Sequence, residues 1–204
     1  MATLTIYYDY TCQYSYRAMH WMDRVRAARP GLEIEWATFS LKEVNKTPDE
    51  VSYLTASSPP SVSVLAQALA HAAREADFDA YHRALFEAMQ GEGRHVGDEE
   101  LLEFARAAGV DVDAFDKDRG RWVASVGAEH KEAVARWGVY GTPTLILDGA
   151  AAFVRLREVP GSDAASLLDS LGGIAGSSAD LAEIFRPSGP KPTPIQIDKI
   201  GRDG

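Results

Sequence analysis

The chain has 204 residues, of which 46% are hydrophobic and 25% are charged, an ordinary composition for a soluble globular protein. Its net charge of −9 at pH 7 argues against nucleic acid or a membrane surface as a partner, because basic surfaces bind phosphate groups. The sequence contains no run of about 18 apolar residues, so it predicts no membrane span. It also shows no recognisable secretory leader. The single cysteine, Cys12, has no intramolecular partner, so we expect a cytoplasmic protein.

The first 40 residues predict a strand–helix–strand unit. Residues 3–8 are β-branched and aromatic, which is typical of a buried strand. An amphipathic helix follows and ends at Arg29-Pro30-Gly31, and a second strand is predicted at 32–39. A unit of this length implies two parallel strands joined by a right-handed crossover.

Residues 48–138 carry helical periodicity almost throughout. In the third of the predicted helices Asp98 is the expected N-cap, and Gly109 follows the helix end. The last helix stops at Gly138. The predicted helices cover residues 62–75, 78–90, 98–108, 112–118 and 122–137.

The remaining chain predicts two strands and a helix. Residues 144–147 and 152–159 form the strands of a hairpin whose turn is Asp148-Gly149, and a helix capped by Ser162 extends to residue 171. The C-terminal tail holds several prolines. Within it, only Ile195-Gln196-Ile197 carries apolar side chains that could pack on the domain.

The order of these elements predicts an α/β domain that is split by a helical insertion. The expected division places residues 1–45 and 139–175 in the α/β domain and residues 46–138 in the helical insertion. Residues 176–204 form a C-terminal extension that we expect to be partly disordered.

Cys12 stands where the first strand meets the first helix. At a helix N-terminus the unpaired amide groups and the positive end of the dipole favour the thiolate, which is the nucleophilic form of cysteine. We therefore predict that Cys12 is a reactive nucleophile. The alternative is an inert buried thiol, because free cysteine is among the most buried residue types.

This arrangement resembles the thioredoxin superfamily, and the inserted helices make it similar to the DsbA-like branch. Three stretches carry the resemblance, which covers about residues 3–172. Residues 8–16, Tyr-Asp-Tyr-Thr-Cys-Gln-Tyr-Ser-Tyr, take the place of the family's C-x-x-C motif. Residues 39–45 resemble the segment after the second strand, and residues 137–144 resemble the motif that holds a cis proline.

The resemblance implies a thioredoxin-like fold with an inserted all-helical domain, and it implies roles for individual residues. Thr142 and Pro143 would shape the substrate groove together with Gln13 and Tyr14, and the bond between Thr142 and Pro143 would be cis. The Thr142 hydroxyl could also contact the Cys12 sulfur. Without the resemblance, Pro143 would be an ordinary trans proline at the start of a strand.

The chain departs from the family at Ser15, where a dithiol enzyme carries its second, resolving cysteine. A mixed disulfide on Cys12 must then be resolved by an external thiol such as glutathione or mycothiol, because exchange requires an attacking thiolate. We therefore predict a thiol-disulfide oxidoreductase with Cys12 and Ser15 at its catalytic position. The sequence leaves open whether Ser15 is natural or replaces a cysteine. We expect no tightly bound cofactor and no metal.

Two other functions remain open. Kappa-class glutathione transferases and 2-hydroxychromene-2-carboxylate isomerases carry a motif similar to Asp-x-x-Ser-Pro-Tyr-Ser-Tyr, in which Cys12 would replace the serine and Gln13 the proline. The other alternative is a non-catalytic module that binds a partner in the same groove. If the protein is a thiol-disulfide oxidoreductase, the expected partner is a disulfide-containing protein or small molecule. Homodimerisation is compatible with all three functions.

Two further groups of side chains, the tyrosines and the histidines, are candidates for a functional role. Tyr10, Tyr14, Tyr16 and Tyr140 could cluster near Cys12 and bind an aromatic substrate, or they could be core residues. His20 lies about 12 Å along the helix from Cys12, too far for a direct base. The other four histidines show no ligand spacing that predicts a metal site.

Overall fold

The computed structural model describes residues 3–55 and 61–177. In these ranges a four-stranded sheet has the order β2-β1-β3-β4. Strand β1 is parallel to β2 and antiparallel to β3, which forms a hairpin with β4. The predicted parallel pair and the predicted hairpin are therefore confirmed. The strands are β1 (Thr3–Tyr8), β2 (Glu33–Thr38), β3 (Thr144–Leu147) and β4 (Ala150–Phe153).

Eight α-helices and one π-helical segment complete the described ranges. The π-helical segment, Glu87–Gly91, continues directly from the fourth helix. The helices are α1 (Gln13–Ala28), α2 (Leu41–Val44), α3 (Val62–Ala73), α4 (Phe78–Phe86), α5 (Asp98–Ala107), α6 (Val112–Lys117), α7 (Arg119–Trp137) and α8 (Ala164–Ser177).

Both faces of the sheet are covered. Because side chains alternate along a strand, Ile6 and Tyr8 of β1 face the main core, which they share with residues of α1, α3 and α4. Tyr7 faces a smaller core on the other side, where Ala133 of α7 and Val139 contribute. One face of the sheet thus packs on α1, α3 and α4, and the other packs on the end of α7.

Helix α3 is the centre of the helical block. Every residue from 63 to 73 is buried, and the helix packs against α4, α5 and α7. Its many alanines allow neighbouring helices to approach closely on several sides. The predicted division into two domains stays a prediction.

Several predicted boundaries were wrong. The second strand of the hairpin ends at Phe153 instead of residue 159, because the carbonyl groups that follow accept hydrogen bonds from α1. Arg17 donates to Leu156 O at 2.8 Å, and Arg24 donates to Val159 O at 3.2 Å. These side-chain donors take the place of a neighbouring strand.

Helix ends also differ from the predictions. The helix expected at 78–90 changes to π geometry after Phe86. Gly97, and not Asp98, is the N-cap of α5, while Gly109 follows the helix end with a positive φ of 84°, as predicted. Helix α7 begins three residues earlier than predicted, and Ser162 precedes α8 by two residues.

Within the described ranges, no helix combines the length and the apolar character needed to cross a membrane. The predicted C-terminal extension beyond residue 177, including Ile195-Gln196-Ile197, lies outside the described residues.

Candidate active site around Cys12

Cys12 is the N-cap residue of α1. Its backbone is extended, with φ −99° and ψ 112°, and its carbonyl accepts hydrogen bonds from the amides of Ser15 and Tyr16 at 3.0 and 3.2 Å. The Cys12 amide donates to Asp9 O at 3.1 Å, which closes the turn after β1. The sulfur therefore stands at the N-terminus of a 16-residue helix, with 8% of the residue exposed.

The Cys12 thiol donates a hydrogen bond to the backbone carbonyl of Thr142 at 3.2 Å. The Thr142–Pro143 peptide bond is cis, and Pro143 is buried. The hydroxyl of Thr142, which the sequence suggested as the contact, is instead buried without a hydrogen-bond partner in the described structure. Thr142 therefore contacts the thiol through its backbone carbonyl and not through its side chain.

Ser15 lies one helical turn after Cys12, and it is fully buried. Its hydroxyl, like that of Thr142, has no hydrogen-bond partner among the described residues. A buried hydroxyl without a partner typically costs about 1–3 kcal/mol, so such groups are unusual in a folded protein. Both hydroxyls belong to the two segments that meet at Cys12, and both keep hydrogen-bonding capacity that no described group uses.

The carboxylate of Asp9 anchors the turn that carries Cys12. Asp9 is fully buried and accepts hydrogen bonds from the amide of Thr11 at 2.8 Å, the amide of Leu41 at 2.8 Å and the hydroxyl of Ser63 at 3.2 Å. Burial raises the pKa of Asp9, and the hydrogen bonds from Thr11, Leu41 and Ser63 oppose that effect. The turn is thereby tied to α2 and α3.

These features match one known family over most of the chain. The family model of the DSBA-like thioredoxin domain matches residues 3–171. The chain belongs to this family. The resemblance and the α/β fold class that the sequence predicted are therefore confirmed. A curated relative from Mycobacterium tuberculosis, the uncharacterized protein Rv2286c, is 27% identical over 99% of this chain and 87% of its own length.

Solved structures share the fold of this DSBA-like domain. A probable DsbA oxidoreductase from Streptomyces coelicolor, SCO1869, has a TM-score of 0.63 and 23% identity, covering 92% of this chain and 97% of its own. The cytosolic disulfide reductase DsbM from Pseudomonas aeruginosa with GSH has a TM-score of 0.57 and 21% identity, covering 83% and 98%. A 2-hydroxychromene-2-carboxylate isomerase has a TM-score of 0.57 and 20% identity, covering 85% and 95%. At these identities the likeness shows the fold alone.

The other predicted groove residues of the DSBA-like domain lie on the surface beside Cys12. Gln13 is exposed and Tyr14 is half-buried at the start of α1. Gly141 packs against Phe153 so closely that an added Cβ would lie 3.1 Å from the ring.

The four tyrosines do not form one cluster. Tyr10 is a core residue, with its hydroxyl 3.1 Å from Nδ1 of the buried His82. Tyr16 donates to Glu87 Oε2 at 2.8 Å, whereas the ring of the half-exposed Tyr140 packs at a tilt against Phe153. An aromatic substrate site made of all four tyrosines is therefore absent from the described structure.

The π-helical segment contacts the active-site turn, which sequence reasoning missed. Gln90 donates to the carbonyl of Tyr10 at 2.8 Å, two residues before Cys12. Glu87 accepts a hydrogen bond from the Tyr16 hydroxyl, and its carboxylate lies 3.0 Å from Nε2 of His20. The side chain of His20 therefore points to Glu87. An extra residue in a helical turn leaves the apolar periodicity almost unchanged, and no signal in the sequence indicated it.

His71 and His130 lie beside the end of β2 and support the sheet. His71 Nε2 lies 3.3 Å from Glu129 Oε2, and His130 Nδ1 accepts the amide of Ser40 at 3.3 Å. Burial lowers the pKa of His130 and that of His82, so both favour the neutral form. In the part of the chain that the structure describes, no three His, Cys, Asp or Glu side chains stand together as metal ligands would.

Proposed function

We propose that the protein is a thiol-disulfide oxidoreductase that uses Cys12 as its single nucleophile and an external thiol as its resolver. The observation that supports this most is the position of the only cysteine, at the N-cap of α1 and in contact with the segment that holds the cis Pro143. A thiol in that position has an electropositive helix end on one side and a substrate groove on the other.

The reaction proceeds in two exchanges. The Cys12 thiolate attacks one sulfur of a disulfide, a new bond forms between the two sulfurs, and the other half of the disulfide leaves as a thiolate. An external thiolate then attacks the mixed disulfide, bonds to the substrate sulfur and releases Cys12. The sum is the exchange of one thiol for another in a disulfide, with no net oxidation of the protein.

The neighbouring residues take supporting roles in this proposal. Ser15 replaces the attacking thiol of a dithiol enzyme, so the mixed disulfide persists until an outside thiol arrives. The Ser15 and Thr142 hydroxyls can donate to the sulfurs of the mixed disulfide. Gln13, Tyr14, Thr142 and Pro143 shape the groove.

A low-molecular-weight thiol is the proposed resolver, and glutathione and mycothiol are the candidates. Such thiols are abundant in a reducing cytoplasm, where we place the protein. The structural similarity to DsbM, whose structure contains GSH, supports a small thiol as the partner.

The test is the turnover of a disulfide in the presence of glutathione. The native protein should accelerate the reduction of a small neutral disulfide, and Cys12→Ser should return the rate to the uncatalysed background. Circular dichroism and thermal unfolding of the variant control for folding. Undiminished turnover by a folded Cys12→Ser variant would rule out Cys12 as the nucleophile.

A glutathione-dependent isomerase or transferase is the second candidate. The two buried hydroxyls of Ser15 and Thr142 favour it, because a hydroxyl can stabilise the thiolate of bound glutathione. The fold shared with 2-hydroxychromene-2-carboxylate isomerase is compatible with it. Retention on immobilised glutathione, together with conjugation of an electrophile that survives Cys12→Ser, would support this candidate over the first.

A further inference from the structure

The turn that carries Cys12 is held by a side chain from the inserted helices. The Cys12 amide closes this turn by donating to Asp9 O at 3.1 Å. Tyr10 and Thr11 are the two central residues, and we call the peptide group between them the middle peptide of the turn. Gln90 Nε2 donates to Tyr10 O, the carbonyl of the middle peptide, at 2.8 Å.

Both polar groups of the middle peptide are bound by side chains. Its carbonyl accepts from Gln90, and its N–H, which belongs to Thr11, donates to Asp9 Oδ1 at 2.8 Å. The orientation of the middle peptide distinguishes the common types of β-turn, and it sets the direction in which the chain leaves the turn. Gln90 and Asp9 therefore fix the path of the backbone into Cys12.

Gln90 belongs to a segment that is tightly attached to α1. In the π-helical segment Glu87–Gly91, the carboxylate of Glu87 accepts a hydrogen bond from the Tyr16 hydroxyl at 2.8 Å. A Cβ at Gly91 would lie 2.5 Å from Glu87 Oε2 and 2.8 Å from the Tyr16 hydroxyl oxygen. Only glycine permits so close an approach, so the position of the segment on α1 is well defined.

The attachments of the π-helical segment lie on both sides of Cys12 in the chain. The segment holds Tyr10, two residues before Cys12, and Tyr16, four residues after it. The sulfur also contacts a separate part of the chain, because the thiol donates to Thr142 O at 3.2 Å. A change in the turn would therefore move the sulfur relative to Thr142.

We propose that Gln90 is a positioning residue for the reaction of Cys12 with disulfides. The inference rests on the proposed function and adds to it a residue of the helical insertion that sets the reactivity of the thiol. Gln90 acts through the backbone, by holding the middle peptide at Tyr10 O. π-Helical turns occur frequently at functional sites, and this one places an uncharged amide donor against the active-site turn.

The first test removes the donor and keeps the length of the side chain, in Gln90→Met. The probe is methyl methanethiosulfonate. The Cys12 thiolate attacks its thiol-bearing sulfur, a methyl disulfide forms on Cys12, and methanesulfinate leaves with the electron pair of the broken sulfur–sulfur bond. We expect the second-order rate, followed by intact mass, to fall about threefold to tenfold, because a hydrogen bond of ordinary strength corresponds to a factor of this size.

Gln90→Glu makes the same hydrogen bond depend on pH. A protonated glutamic acid can donate to Tyr10 O, whereas its carboxylate cannot. Compared with the native protein at the same pH, Gln90→Glu should be about threefold to tenfold slower at about pH 7 and should approach the native rate as the pH falls to about 4. Gln90→Met, which has no donor at any pH, should stay slow over this range.

Tyr81→Phe is the matched control for stability. The buried Tyr81 hydroxyl donates to a backbone carbonyl of the same helical block, that of Ala66, at 3.0 Å. Its removal should lower the free energy of unfolding at least as much as Gln90→Met does, and it should leave the reaction rate of Cys12 unchanged. Urea unfolding measures the stability of each variant.

The outcomes separate the two proposals. If the native protein reacts and Gln90→Met reacts equally fast, or if Tyr81→Phe is slowed as much as Gln90→Met, Gln90 is not a positioning residue while the proposed function stands. A rate of Gln90→Glu that keeps a constant ratio to the native rate from about pH 4 to about pH 7 would overturn the inference in the same way. A native Cys12 that reacts with the probe only after the chain is unfolded would overturn the proposed function and this inference together.

Discussion

Two features of the structure meet at Cys12. The N-terminus of α1 carries amide groups without helical partners, whereas the hydrogen bond to Thr142 O is made by the thiol proton. Because the thiolate is the form that attacks a disulfide, the hydrogen bond to Thr142 O is lost when Cys12 reacts.

Ser15→Cys should convert the site from a single-thiol to a dithiol mechanism. The Ser15 hydroxyl has no partner to lose, and residue 15 stands one turn from Cys12 on the helix, as the two cysteines of a C-x-x-C motif do. After treatment with oxidised glutathione, we expect intact mass to show a chain two hydrogens lighter, with no lasting adduct.

Ser125→Cys is the control for this prediction, since it adds a thiol to α7 away from the turn that carries Cys12. In that variant the adduct on Cys12 should persist. A lasting glutathione adduct on Ser15→Cys would mean that the two positions cannot bond, and that Ser15 does not stand in for a resolving cysteine.

Single residues were predictable where a local motif marks them. Cys12, Ser15 and Thr142 could be found because each lies in a short segment with a recognisable neighbourhood. Asp9 and Glu87 could not, because their partners come from distant parts of the chain: Leu41 and Ser63 for Asp9, and Tyr16 and His20 for Glu87. The sequence also could not show which group of Thr142 contacts Cys12, because it does not distinguish a carbonyl contact from a hydroxyl contact.

At the scale of elements, one half-buried carboxylate joins a strand to two helices. Glu129 of α7 accepts the Thr38 hydroxyl at the end of β2 at 2.7 Å and pairs with Arg74, which follows α3, at 2.7 Å. Burial alone would raise the pKa of Glu129, but the hydrogen bonds from His71 and Arg74 outweigh it and lower the pKa to about 2. The pair fixes the helical block to the sheet.

This pKa predicts how the stability depends on pH. Because the folded pKa of Glu129 lies below the ordinary value of 4.5, its contribution is complete above that value and is lost as the pH falls toward about 2. Glu129→Gln should lower the free energy of unfolding by about 3 kcal/mol near neutral pH, and by progressively less below about pH 4.5. Urea unfolding of both proteins across this range measures the difference.

Glu132→Gln is a matched control on the same helix. Glu132 pairs with Arg136 at 3.1 Å in an exposed i, i+4 arrangement, so its removal should cost less than about 1 kcal/mol. A cost for Glu129→Gln that is as small as this, or that does not change with pH, would contradict the role of Glu129 as an anchor between the elements.

Elements were predictable in order and type, and less so in their ends. The pattern of apolar residues located every strand of the sheet and the main helices, whether an element is buried on one face or, like α3, on all sides. It missed the change to π geometry at Glu87–Gly91, which alters hydrogen bonding and not the apolar pattern. It also placed the end of β4 too late, because the buried apolar residues Val154 and Leu156 continue the alternating pattern beyond the end of the strand at Phe153.

At the scale of the whole molecule, the fold brings distant segments to one sulfur. The strand–helix unit at the start of the chain supplies Cys12, the hairpin region supplies Thr142 and Pro143, and the helical block supports the turn through Ser63 and Gln90. The helical insertion thus takes part in holding the active-site turn. The sequence predicted the meeting of Cys12 with Thr142 from the family pattern, but gave no reason to expect contacts from the insertion.

The central claim is that one activated thiol per chain forms a mixed disulfide that the protein cannot resolve by itself. Intact mass after incubation with oxidised glutathione tests it most directly. We predict one glutathione adduct per native chain, none on Cys12→Ser, and release of the adduct only when a free thiol is added. A native protein that gains no adduct, although its Cys12 reacts once the chain is unfolded, would show that the fold shields the thiol and would contradict the account.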